Sequence, residues 1–228
     1  MPPYKLCNDI DTLRIAYIGD SWAFMHKRHQ CKITNILKEI THQPIEVHSF
    51  GVCGLTSKEI YENLHLNNDF INFLQDKGFN YCFISAGIND CNKKMGIKNY
   101  KKSMNCIIQF MLYNHIRPII LEIPDYDIKK AFQDQSPSRK LIRRISMWVT
   151  NTPMNCKQLF RDALEEVIIE NGYQDKINVI KYQTWNNNYS YDLKHMYLDD
   201  GLHLNEQGYA KLDSAIAKEI MSSLVIEK

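Results

Sequence analysis

Residues 13–24 read LRIAYIGDSWAF, and the rest of the chain is best interpreted outward from them. An apolar run, Ile15 to Ile18, breaks at Gly19-Asp20-Ser21. A short apolar run closed by a turn signal is the pattern of a strand buried on both faces. Glycine supplies the turn, and Asp20 or Ser21 can cap a following helix. Nothing in this stretch alone demands chemistry. A reactive serine needs partners from elsewhere in the chain.

Four more strand-like runs follow, each separated from the next by helix-like sequence. They are IEVHSF from Ile45, NYCFISAG from Asn80 to Gly87, RPIILEIP from Arg117, and INVIKY from Ile177. Helical spacing joins Ile33, Ile36, Leu37 and Ile40, and helices are predicted over Tyr100–Asn114, Leu141–Val149 and Lys157–Asn171. Thr56 or Ser57 is a candidate N-cap, Gly172 a C-cap, and Asn205 the cap of a last helix running to about Leu224. Alternating strands and helices predict a five-stranded parallel sheet in a three-layer α/β/α sandwich, doubly wound, within one domain spanning 1–228. Ligands in such folds sit beyond the carboxyl ends of the strands.

The loops at those ends hold one consistent set of residues. Ser21 follows the first strand, Gly54 the second, and Gly87-Ile88-Asn89-Asp90 the third; Asp200-Gly201-Leu202-His203 precedes the last helix. Ester hydrolysis needs a nucleophile, a base, a group that orients the base, and donors for the oxyanion. Ser21 can attack if His203 takes its proton, and Asp200 stands at a turn's distance from His203. Backbone N–H groups of Ser21 and Gly54 and the Asn89 amide can donate to the oxyanion. Gly51 competes with Gly54, and Asp199 with Asp200. The following Thr56-Ser57 pair favours Gly54, and the D-x-x-H spacing favours Asp200.

These four blocks, IGDSW, Gly54, GIND and DGLH, resemble those of the SGNH hydrolases, also called the GDSL esterase/lipase family. They occur in the family's order from Gly19 to His203. The resemblance implies a flavodoxin-like sandwich, a Ser21–His203–Asp200 triad, and an oxyanion hole of Ser21, Gly54 and Asn89. It implies no metal and no organic cofactor. Where the family often has leucine after the serine, this chain has Trp22, and that ring is expected to crowd the nucleophile and favour a short acyl group. Asp20 is expected to hold its loop through backbone N–H groups, and Asp90 to cap the helix after the third strand.

Other features admit two readings. Ser138 to Val149 places Leu141, Ile142, Ile145, Trp148 and Val149 on one stripe and Arg139, Lys140, Arg143 and Arg144 on the other side. Either this is an ordinary helix packed on the sheet, or Arg143 and Arg144 bind an anionic substrate. It lies in a long segment, Asp125 to Asn155, of the kind that often carries substrate contacts. Tyr182, Trp185, Tyr189, Tyr191 and Tyr197 could stack on sugar rings or cover the core edge. His26, His29 and Cys31 match no established metal spacing and read as a solvated helix face, with His26 near the pocket rim.

Bulk composition is that of a globular protein, with 44% hydrophobic and 24% charged residues. A net charge of +2 gives no strong field that would argue for nucleic acid or anionic lipid. The count of seven cysteines is odd and includes no C-x-x-C pair, which fits a reducing, cytoplasmic compartment with free thiols. The start of the chain shows no signal-peptide core, and no run reaches the length of a membrane span.

The expected activity is hydrolysis of a short-chain ester, acetyl first, on a small molecule or carbohydrate. An acyltransferase using the same triad and a lysophospholipase or thioesterase are the nearest rivals. A phosphate- or nucleotide-binding module is disfavoured because the first loop lacks a glycine run. An α/β-hydrolase is disfavoured because Ala23 stands where a nucleophile elbow wants glycine.

Overall fold

A computed structural model describes residues 12–26, 32–130, 135–186 and 188–226. Five strands form one sheet: β1 Leu13–Gly19, β2 Ile45–Gly51, β3 Tyr81–Ser85, β4 Arg117–Leu121 and β5 Asn178–Ile180. Their spatial order is β2-β1-β3-β4-β5, and every pairing is parallel. β3 is buried throughout, and β1 and β4 nearly so, as their unbroken apolar runs require. The edge strand β2 is mostly half-buried, which matches its polar Glu46, His48 and Ser49.

Ten helices connect and cover the strands among the described residues: α1 Ser21–His26, α2 Lys32–Thr41, α3 Ser57–Leu66, α4 Asn68–Asp76, α5 Ile88–Lys93, α6 Ile97–Tyr113, α7 Pro137–Thr150, α8 Lys157–Glu170, α9 Tyr189–His195 and α10 Glu206–Ile226. α2 and α10 pack together over one face of the sheet; α3, α6 and α8 pack side by side over the other. α6 sinks Tyr100, Met104, Ile107, Ile108 and Met111 into the core, at helical spacing. α3 starts at Thr56 in a capping box with Glu59. α8 ends where Gly172 takes a φ of 63°. The Asn205 side chain accepts the Gly208 N–H and so starts α10. The buried apolar side chains form one continuous core.

Two expectations fail here. α7 is not packed on the sheet through its apolar stripe: none of its residues is buried, and Trp148 is 84% exposed. Asp90 does not cap the helix after β3. It lies inside α5, and its carboxylate accepts the Ser57 backbone N–H at 2.8 Å and the Ser57 hydroxyl at 2.6 Å. It therefore closes the start of α3 from a neighbouring element, which local sequence could not reveal.

No helix among the described residues is long and apolar enough to cross a membrane. Five cysteines, Cys53, Cys82, Cys91, Cys106 and Cys156, are free. Cys7, Cys31 and His29 lie outside the described residues. The Cys91 hydrogen bond and the Lys94 ammonium hold the Cys156 thiol below the usual thiol range, outweighing its burial. Denatured, unreduced protein is expected to take up seven alkyl groups by mass spectrometry; a smaller number would overturn the free-thiol reading.

Candidate active site

Parallel register sets three loops level with one another. Gly19 pairs with Gly51 on β2 and with Ser85 on β3, so β1, β2 and β3 release their chains at one height. The chain returns from β2 to β3 across β1, making the β1–β3 boundary the topological switch point. Ser21 stands directly above it.

The turn at Gly19 is sterically forced. Its φ is 136°, and a Cβ there would lie 2.1 Å from the Ser85 carbonyl oxygen. Asp20 is fully buried, and its Oδ1 accepts the Trp22 N–H at 3.0 Å and the Ser85 hydroxyl at 2.8 Å. Asp20 thus takes the capping duty that the sequence left open between it and Ser21, and α1 begins with the Ser21 hydroxyl available. Gly51 has a different duty: a Cβ there would lie 2.1 Å from the Phe24 backbone nitrogen. That close approach seats α1 on β2 and explains the second glycine without any role toward substrate. Gly54 has a φ of 83° and open space where a Cβ would be.

His203 meets Ser21 across 182 positions of sequence. Its Nε2 lies 2.9 Å from Ser21 Oγ, and its Nδ1 lies 2.5 Å from Asp200 Oδ2. Asp200 Oδ1 also accepts the backbone N–H groups of Leu202 and His203, both at 2.9 Å. Partial burial pushes the Asp200 carboxyl up, but these bonds and the His203 charge outweigh it and hold the group below the usual value. Of the two candidate aspartates, Asp200 makes the contact with the ring. An anion on Nδ1 fixes the tautomer whose Nε2 can accept the serine proton.

Asn89 opens the first turn of α5, and its amide donates to the Leu55 carbonyl at 3.0 Å and reaches Asp20 Oδ2 at 3.5 Å. It therefore bridges the loops after β1 and β2, where Ser21 and Gly54 stand. Lys93 adds a tie by donating to the Gly54 carbonyl at 2.8 Å.

Several expectations are redirected. Trp22 is 1% exposed and packs edge-on against Trp185 and Tyr197, so its ring belongs to the core rather than to a crowded ester pocket. His26 is buried, not at a rim. Its Nε2 lies 2.5 Å from Asp213 on α10, and its ring stacks on Tyr17. Trp185 and Tyr197 cover the core edge, whereas Tyr191 is exposed. Arg143 is half-buried and Arg144 exposed on α7, whose Thr150 packs at Gly96 beyond α5. No group of three or more metal-ligating side chains occurs among the described residues.

Sequence reasoning missed Ser85, the Ser57–Asp90 clamp and the His26–Asp213 pair. Only Asp213 carried a signal. It sits between Leu212 and Ile216 on the buried stripe of α10, and a carboxylate there requires a buried partner.

A cavity of about 370 Å³ is lined by Asp125, Asn155, Lys157, Gln158, Arg161 and Tyr189. No triad candidate lines it. It is joined to the His203 loop by two bonds: the Tyr197 hydroxyl donates to the Asp125 carbonyl, and the Asp127 N–H donates to the Gly201 carbonyl.

No sequence-family model matches the chain, and no curated protein matches it by sequence. Solved structures do match its fold. An acetyl xylan esterase superposes with a TM-score of 0.62 at 14% identity, covering 90% of this chain and 98% of its own. The lipase/acylhydrolase of Enterococcus faecalis gives 0.60 at 15% identity, covering 91% and 95%. A GDSL-like lipase of Bacteroides thetaiotaomicron gives 0.55 at 15% identity, covering 92% and 88%. The chain has the GDSL, or SGNH, hydrolase fold. Within that fold, Ser21, Asn89 and His203 stand at the carboxyl edge of the sheet.

Asp20 supplies a test of this environment. Burial drives its carboxyl up from 3.8 to about 6, against the lowering effect of the Ser85 and Trp22 hydrogen bonds. The folded chain therefore holds this proton to a higher pH than the unfolded chain. Stability contributed by the protonated group is lost as pH rises from about 4 to about 6. The stability of the wild type relative to Asp20→Asn is expected to fall by about 2 kcal/mol across that window. Urea unfolding of both proteins at the two ends of the window measures it, and an unchanged difference refutes it.

Proposed function

We propose that this protein is a serine esterase that hydrolyses short-chain esters, acetyl foremost, on carbohydrate. The observation that carries the reading is the unbroken hydrogen-bond chain from Ser21 Oγ through the His203 ring to Asp200. In the proposed reaction Ser21 Oγ attacks the ester carbonyl while Nε2 removes its proton. Asp200 stabilises the imidazolium that forms. Backbone N–H groups of Ser21 and Gly54 and the Asn89 amide take the oxyanion. His203 then returns the proton to the leaving alcohol, an acetyl-Ser21 ester remains, and a water activated by the same nitrogen hydrolyses it.

The carbohydrate assignment rests on two supports. Similar folds include acetyl xylan esterases, and the 370 Å³ cavity beside the His203 loop is lined by polar side chains and one tyrosine. A sugar needs such a surface: hydroxyl partners and a ring on which to stack. The short acyl group no longer draws support from Trp22, whose ring is buried.

Aryl esters of increasing acyl length, followed by acetylated sugars, test the proposal. Turnover is expected to be highest at acetyl and to persist on the sugars. An optimum at long chains favours the lysophospholipase or thioesterase reading, and acyl transfer to an added sugar alcohol in place of hydrolysis favours the transferase.

A further inference from the structure

α7 is turned inside out for a helix at the surface of a globular protein. At about 100° per residue, Leu141, Ile142, Ile145, Trp148 and Val149 share an arc of about 120°. Their exposures are 59%, 63%, 53%, 84% and 67%. The less exposed residues, Arg143, Ser146, Met147 and Thr150, lie on the opposite side, toward the body of the protein. The apolar stripe therefore faces outward. A contiguous exposed apolar patch of this kind marks an interaction surface.

Charge identifies the partner. Residues 137–150 contain Arg139, Lys140, Arg143 and Arg144 and no aspartate or glutamate. By the same angular spacing, Lys140 and Arg144 border one edge of the stripe, and Arg139, farther round, is exposed in the first turn. A second copy fits this face poorly, because a two-fold contact would set like cations against each other. One helix of about 21 Å by about 10 Å also falls short of the roughly 800 Å² per partner that a stable dimer buries. An apolar stripe containing a tryptophan and edged by arginine and lysine suits the boundary between acyl chains and anionic headgroups.

We propose that α7 docks the protein on the surface of an anionic lipid bilayer, with Trp148, Ile145 and Leu141 among the acyl chains and Arg139, Lys140 and Arg144 at the headgroups. Thr150 packs at Gly96, beyond α5, which ties the helix to the edge of the sheet that carries the candidate active site. The proposal does not depend on the esterase reading, because binding is measured without turnover.

The test is co-sedimentation with vesicles of phosphatidylcholine alone and of phosphatidylcholine mixed with phosphatidylglycerol. Binding to the mixed vesicles is expected and to the neutral ones is not. It should weaken in high salt, where the screening length drops from about 10 Å at 0.1 M to about 3 Å at 1 M. Trp148 provides a second readout, since the other two tryptophans, Trp22 and Trp185, are each 1% exposed. Its emission should shift to the blue on the mixed vesicles. Ile145→Asp and Trp148→Asp, at exposed positions and checked for an unchanged thermal melt, should each lower the partition coefficient roughly tenfold or more. Arg139→Gln with Arg144→Gln should lose the preference for anionic lipid. Failure to pellet with the mixed vesicles overturns the proposal, as does equal binding to both compositions. A concentration-dependent dimer abolished by Trp148→Asp also overturns it and assigns the face to a second copy.

Discussion

Ser21→Ala is expected to lower turnover of an aryl acetate by roughly 10⁴- to 10⁶-fold, the loss typical when one member of a serine triad is removed. Its thermal melt should barely move. The lost group is one hydroxyl at the head of α1, and the turn beneath it is held by Asp20, Ser85 and Gly19. His203→Ala should be as damaging, because Ser21 without a base 2.9 Å away is an ordinary alcohol. The double variant should be scarcely worse than either single one, since the two residues act as a unit. Steady-state kinetics on the three variants, with a serine-directed phosphonate to identify the labelled residue, decide the matter. Additive losses, or label on another serine, would sink the triad.

Asn89→Ala is expected to lower kcat by roughly 10²- to 10³-fold with little change in KM. The amide acts on charge that develops only in the transition state, so the bound ester scarcely feels its removal. The geometry adds a second consequence. Asn89 also donates to the Leu55 carbonyl, one residue beyond Gly54. Removing it also frees the loop that presents Gly54, so the loss should fall toward the upper end of that range. A change confined to KM would place Asn89 in ground-state binding instead.

The strands and the site were legible in the sequence for a common reason. β1, β3 and β4 are covered on both faces, so each must be an unbroken apolar run, and each run ends at a residue that a turn demands. The candidate residues Ser21 and Asn89 open the helices that follow β1 and β3, and His203 stands in the loop before α10. Short helices were not legible: α1, α4 and α9 have six, nine and seven residues, too few for a 3.6-residue period to emerge. Long-range polar pairings were invisible for a different reason. Asp90 with Ser57 and His26 with Asp213 are set by which helices neighbour each other, and no local pattern encodes that. For α7 and Trp22 the pattern was read correctly and the direction was not. Periodicity gives a stripe but not which way it faces, and an aromatic beside a nucleophile can point down as readily as across.

The two halves of the proposed triad are mounted very differently. Ser21 rises from the sheet on a turn with no steric slack, and α1 is seated on β2 so closely that Gly51 can carry no side chain. His203 rides on the stretch from Leu198 to His203, closed at its base by the isolated Tyr197–Leu204 bridge, with the Asp200 side chain 46% exposed. Segments that bury little open at a fraction of the free energy of global unfolding. On warming, the proton acceptor should therefore leave its post while the sheet is still intact. Catalysis would then fail at a lower temperature than the fold, and would return on cooling without any refolding.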